Sequence, residues 1–150
     1  MTTYQRESFE EAYKDAAPLL IKHWAEISSN LDIALDVNVE AYVLSEANNL
    51  LRIYTARDEG VMLGYVALFI HRGLHYQQSV QATQDVFYVD PDHRGKMLGI
   101  RLIRFMEDQL RKEGVQIIHQ HVKLKHPALG RLLERSGYTA VEKIYQRRLD

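Results

Sequence analysis

The 150-residue sequence has no cysteine, which excludes disulfides, thiolate metal sites and a cysteine nucleophile. An excess of charge of one sign is also missing. Nineteen Lys and Arg stand against 20 Asp and Glu, a net −1, too balanced for a broad nucleic-acid footprint or attraction to an anionic membrane. Long hydrophobic runs are absent too. The longest, Val61 to Ile70, is about half the length needed to cross a bilayer. The N-terminal "MTTYQRESFEEAY" is polar and acidic, unlike a signal peptide, so a cytoplasmic protein is expected. What remains is 46% hydrophobic and 26% charged, ordinary for a folded protein. The length suits one domain over 1–150, burying roughly two thirds of its unfolded surface.

Ser8-Phe9-Glu10-Glu11 fits a capping box, and behind it Phe9, Tyr13, Ala16, Leu20, Trp24 and Ile27 recur with helical spacing. Pro18 interrupts this helix. A loop with Asp32 and Asp36 follows, then a short helix from about Val39 to Asn48. The period then changes. "LLRIYTARDEG", "GVMLGYVALFIHRG" and "SVQATQDVFYV" read as three strands. Ile100, Ile103, Met106 and Leu110 mark a helix ending near Gly114, and "VQIIHQHVKL" alternates as a strand. "HPALGRLLERSG" is a short helix with Pro127 in its first turn and Gly137 as its stop, and "YTAVEKIYQRRL" closes as a strand. The order predicts a mixed α/β domain.

The segment "VFYVDPDHRGKMLGIRLI" concentrates backbone freedom and positive charge at the mouth of a helix. A helix N-terminus leaves amides unpaired and carries the positive end of the dipole, which suits phosphate. Gly95 and Gly99 allow close backbone approach, and Arg94 and Lys96 add charge. Neither a Walker A loop nor a G-x-G-x-x-G fingerprint is present. The alternative is a plain strand–turn–helix connection.

"VDPDHRGKMLG" followed by "IRLIRFMEDQLRKEG" resembles the coenzyme A-binding motif of the GNAT superfamily of acyl-CoA-dependent N-acyltransferases. That motif runs arginine or glutamine, two residues, glycine, one residue, then glycine or alanine. Arg94 and Gly99 match its ends, while Met97 stands where the family usually has the middle glycine. "HPALGRLLERSGY" resembles the family's later signature, with His126 at its asparagine, Leu129 at its alanine, Leu133 at its tyrosine and Tyr138 at its phenylalanine.

The resemblance implies a mostly antiparallel central sheet, splayed between its fourth and fifth strands and flanked by helices. It also implies acetyl-CoA as acyl donor and direct transfer of acetyl to a primary amine. Arg94, Gly95, Lys96, Met97, Leu98 and Gly99 would then hold the pyrophosphate. Phe87, Tyr88 and Val89 would pair with the pantetheine arm, and His126 would join the cofactor site. The attacking amine must lose a proton. Asp85 is the candidate base, expected to share a strand face with Phe87 and Val89 and, if buried, to have its pKa raised. His119 and His121, two residues apart in the next strand, could relay protons. Leu133 cannot protonate the leaving thiolate; Tyr145, Tyr76 or a water are the alternatives. Asp32 and Asp36 would suit a cationic acceptor such as a polyamine, a lysine side chain or an aminoglycoside. The resemblance leaves the oligomeric state open, a homodimer included.

Rival readings remain at this level. A module that binds acyl-CoA or a protein without transfer fits Met97, His126 and Leu133. A metal site would draw on His71, His75, His119, His121 and His126, without a cysteine or carboxylate completing a compact set. The basic run from Arg131 to Arg148 would serve a nucleic-acid binder but reads equally as a solvated face.

Overall fold

The N-terminal residues form an edge strand, β1 (Thr2–Glu7), that precedes the capping box. Sequence reading missed it because Tyr4 is the only large apolar group in "TTYQRE" and none of the strand is fully buried, so no hydrophobic alternation marks it. Pairing and ion bridges hold it instead. Glu7 pairs opposite Ile53, and its carboxylate meets Arg57 at 3.0 Å. Arg57 also donates to Asp15 and to the Gly60 carbonyl, both at 2.8 Å. One buried guanidinium thus joins β1, the first helix and a turn.

The computed structural model describes residues 1–150. Helix α1 (Phe9–Ile27) starts where the capping box places it, Ser8 and Glu11 each satisfying the other's backbone amide. Pro18 lies inside it without ending it. Helix α2 (Val39–Ala47) is capped by Asn38, whose side chain accepts from the Ala41 amide at 3.0 Å. Strands β2 (Leu51–Asp58), β3 (Val61–Gly73) and β4 (Tyr76–Val89) follow as an antiparallel meander. A 3-10 turn at Pro91–His93 leads into α3 (Leu98–Lys112), then β5 (Ile117–His119) and α4 (Ala128–Arg135). The sheet order is β1-β2-β3-β4-β5, with β5 parallel to β4 and the rest antiparallel.

The sheet is covered on both faces, which explains why β2 is buried from Leu51 to Arg57 and β3 from Met62 to Leu68. On one face α3 packs Leu98, Leu102, Ile103, Met106 and Leu110 onto Tyr54, Val66, Leu68, Phe87 and Val89. On the other, Phe9, Ala12 and Ala16 of α1 meet Ile53, Tyr65, Ala67 and Tyr88.

Two expected strands differ. "VQIIHQHVKL" pairs only over Ile117–His119. The expected final strand does not form, and 139–150 carry no regular structure. Val141, Ile144, Tyr145 and Leu149 are 78%, 74%, 88% and 93% exposed. Alternation supplies propensity, but a strand needs a partner, and none lies beside this segment. Side-chain bonds tether it instead, Asn30 to Gln146 at 3.2 Å and Arg148 to Asp32 at 2.6 Å.

Candidate active site

Strand β4 sets the geometry. It pairs with β5 from Gln81 to Thr83, after which the β5 ladder ends at His119 while β4 runs on to Val89. The last link is a side chain: the His121 amide donates to Gln84 Oε1 at 2.7 Å. Beyond it the two strands have parted. The backbone of β4 from Val86 to Val89, still paired to β3 on its other side, loses β5 as a partner.

A bulge falls at the same point. Gln84 pairs with Leu68 and Val86 with Ala67, so Asp85 has no residue opposite it. One extra residue shifts the alternation of faces. Ala82, Phe87 and Val89 therefore all belong to the α3 face, five and seven residues apart, while Val86 and Tyr88 belong to the α1 face. This corrects the expectation that Asp85 shares a face with Phe87 and Val89. Its carboxylate turns to the α2 side and accepts a hydrogen bond from the Tyr42 hydroxyl. Asp85 is exposed rather than buried.

After Val89 the chain turns sharply. The Asp90 amide donates to the Leu63 carbonyl at 2.8 Å, and the Asp90 carboxylate accepts from the Asp92 amide at 2.9 Å. Gly95 has φ +77° with no atom within 4 Å of where a Cβ would stand. Met97 follows in the left-handed region at φ 65°. An L-residue is strained there by about 1–2 kcal/mol, which explains why a glycine would serve better. Met97 is also the N-cap of α3 and offers no capping side chain. The first amide to find a helical acceptor is that of Arg101, bonded to the Met97 carbonyl at 3.0 Å. The amides of Leu98, Gly99 and Ile100 before it are free for an anion. Met97 is half exposed and the space over Gly95 is open, so the methionine does not fill the turn.

The basic side chains divide the work. Lys96 is exposed at the turn. Arg94 folds back onto α1: it donates to the Val89 carbonyl at 2.9 Å, meets Glu26 at 3.0 Å and lies 5.8 Å over the Tyr88 ring. Gly99 answers to packing. A Cβ there would stand 2.9 Å from Leu132 Cδ2, so the glycine lets α4 dock against α3.

The remaining sequence candidates scatter. His119 is half-buried in β5, whereas His121 lies beyond it and is exposed, so the two do not share a strand face. His126, half-buried, donates its amide to the Lys123 carbonyl at 2.9 Å ahead of α4. Leu133 is buried in the α3-side core. Tyr145 is exposed in the C-terminal segment, and Tyr76 is exposed where β4 starts, opposite Gly73 and far along the strand from Asp85. Asp32 is engaged by Arg148, while Asp36 is exposed. No three His, Asp or Glu side chains converge as a metal site.

Two residues were missed. Tyr42 is one. The other is His23, whose ring lies 5.3 Å from Tyr88 and 6.4 Å from Tyr65. Burial pushes its pKa down from 6.5 to about 4; Glu26 opposes the shift, and Arg94 and His126 reinforce it. The imidazole is therefore neutral. A signal existed: Phe9, Ala12, Ala16 and His23 form the buried stripe of α1.

Solved structures share this fold at low identity. Ribosomal-protein-alanine N-acetyltransferase from Brucella melitensis biovar Abortus 2308 superposes with a TM-score of 0.75 at 18% identity, over 100% of both chains. A predicted acetyltransferase with acetyl-CoA from Clostridium acetobutylicum gives 0.73 at 13% identity, over 99% of this chain and 97% of that one. An aminoglycoside acetyltransferase from an uncultured soil metagenomic sample, in complex with sisomicin, gives 0.76 at 13% identity, over 99% of this chain and 95% of that one. No curated protein matches the chain in sequence. The model of the acetyltransferase (GNAT) family matches residues 2–138, from β1 through α4. A mixed five-stranded sheet parted at β4 and β5, an uncapped helix after β4 and that match together assign the chain to the GNAT family of acetyltransferases.

Proposed function

We propose that the protein is an N-acetyltransferase that moves acetyl from acetyl-CoA to a primary amine on a small cationic molecule, a lysine side chain or a protein N-terminus. The observation that carries this reading is the parting of β4 from β5 directly before the uncapped N-terminus of α3. Both features lie on one continuous run of chain, Asp85 to Ile100. The pyrophosphate sits on the free amides of Leu98, Gly99 and Ile100, with Lys96 beside it. The pantetheine arm pairs with the backbone of β4 at Phe87 to Val89, which has no β5 partner on that side, and the thioester lies where the strands separate.

In the transfer, the amine nitrogen bonds to the thioester carbonyl carbon and the carbon–sulfur bond breaks. Asp85 takes the proton the nitrogen sheds, directly or through a water, and the sulfur leaves as coenzyme A thiolate. Its position supports this role: a carboxylate open to solvent, two residues past the last β4–β5 pair. Solvent protonates the thiolate, since Leu133 has no proton to give. The acidic Asp36 and Asp85, both exposed, favour a cationic acceptor, whereas Asp32 is already neutralised by Arg148.

The test is a transfer assay over a panel of polyamines, aminoglycosides, lysine peptides and free peptide N-termini, following released coenzyme A with a thiol reagent. The protein itself contributes no thiol background. Amine-dependent release that falls about a hundredfold in Asp85→Asn supports the reading. Acetyl-CoA binding without release on any amine would instead favour a module that binds without transfer.

A further inference from the structure

Tyr42 comes from α2, an element to which the sequence assigned no part in the chemistry. Its ring is held on two sides, stacked on Phe9 at 5.1 Å with a 7° interplanar angle and on Phe69 at 5.9 Å and 28°. Phe9 in turn stacks on Tyr13 at 4.9 Å. The aromatic column spans α1, α2 and β3, and it fixes where the phenol oxygen stands. That oxygen donates to Asp85 Oδ2.

Asp85 needs such a restraint more than an ordinary strand residue. It is the unpaired residue of the bulge, and it is exposed, so no packing selects its rotamer. Residues of an unpaired, solvated position sample several staggered orientations. The Tyr42 contact occupies one carboxylate oxygen and leaves the other to act. Tyr42 is suited to remain a donor, because burial and the bond to Asp85 both raise its pKa above the usual tyrosine value. Every ionisable group affecting it (Asp85 and Tyr13) favours the protonated phenol.

We infer that Tyr42 is a positioning residue that aims the Asp85 carboxylate at the parting of β4 and β5. This rests on the proposed role of Asp85 and adds α2 to the catalytic framework. In this role Tyr42 acts on the rate through Asp85.

The experiment compares wild type, Tyr42→Phe, Asp85→Asn and the double variant. Phenylalanine keeps the aromatic stack and deletes only the hydroxyl. Tyr42→Phe is expected to lower kcat about tenfold with KM for acetyl-CoA unchanged, and to change kcat less than about twofold when Asp85 is already Asn. Equal fold losses in both backgrounds would overturn the inference, since a structural effect multiplies. A second readout needs no acceptor: the alkaline ultraviolet titration of tyrosines. In Asp85→Asn one tyrosine should ionise at lower pH than in wild type, and that change should vanish in the double variant. No such change overturns the contact. A fully active Asp85→Asn protein removes both the base and its positioning residue. A disabled Asp85→Asn with independent Tyr42→Phe losses removes Tyr42 alone.

Discussion

Arg94 and Glu26 meet at 3.0 Å, which ties the turn after β4 to the last part of α1. The guanidinium simultaneously donates to the Val89 carbonyl and covers the Tyr88 ring. The arginine expected from the sequence at the phosphate thus braces the turn in the structure, and Lys96 stands exposed beside it.

Arg94→Ala and Arg94→Lys separate the brace from simple charge. Lysine keeps the charge but lacks the planar fork that serves Val89, Glu26 and Tyr88 together. Both variants are expected to bind acetyl-CoA more weakly, by about tenfold, and lysine should not rescue alanine. Because the ion pair is partly exposed, thermal unfolding should register less than about 1 kcal/mol. Full rescue by lysine would return Arg94 to the role of a plain charge.

Met97→Gly should stabilise the protein. It releases left-handed strain of about 1–2 kcal/mol, offset by about 0.4–1 kcal/mol of added freedom in the unfolded chain. A net gain of up to about 1.6 kcal/mol is expected in urea unfolding. Acetyl-CoA affinity should hold or rise, since the side chain over the cradle is gone.

His23 makes stability fall on the acid side. Its pKa is near 6.5 in the unfolded chain and about 4 when folded. Above the unfolded value neither state carries the proton, and the full stability is present. As pH falls through that window the unfolded chain gains a proton the folded one refuses, so stability declines, by about 3 kcal/mol in all, and levels off below the folded value. Urea midpoints taken from pH 7 to pH 4 should fall for wild type relative to His23→Phe as pH falls. Parallel curves would contradict a buried neutral imidazole.

Much of this was legible in the sequence wherever one residue type has one local meaning. Ser8 and Glu11 announced the start of α1, and the spacing of Ile100, Ile103, Met106 and Leu110 announced α3. The turn residues between Val89 and Gly99 announced the passage from β4 to α3. What escaped depends on partners distant in sequence. β1 exists through ladder bonds and Arg57, neither visible in "TTYQRE". The C-terminal alternation found no strand to pair with. The bulge at Asp85 changes which face each later residue takes, and no local pattern distinguishes a bulged strand from a regular one. Tyr42 meets Asp85 from 43 residues away, a relation that only folding creates.

The central claim is that acetyl-CoA binds with its pyrophosphate on the N-terminus of α3. Calorimetric titration of acetyl-CoA into wild type and Lys96→Glu tests it most directly. Lys96 is exposed, so its reversal leaves the fold intact while placing a negative charge beside the amides of Leu98 to Ile100. Micromolar binding to wild type, weakened more than about tenfold by the reversal and by added salt, is the expected result. Absence of binding to wild type, or binding indifferent to the reversal, would contradict the account.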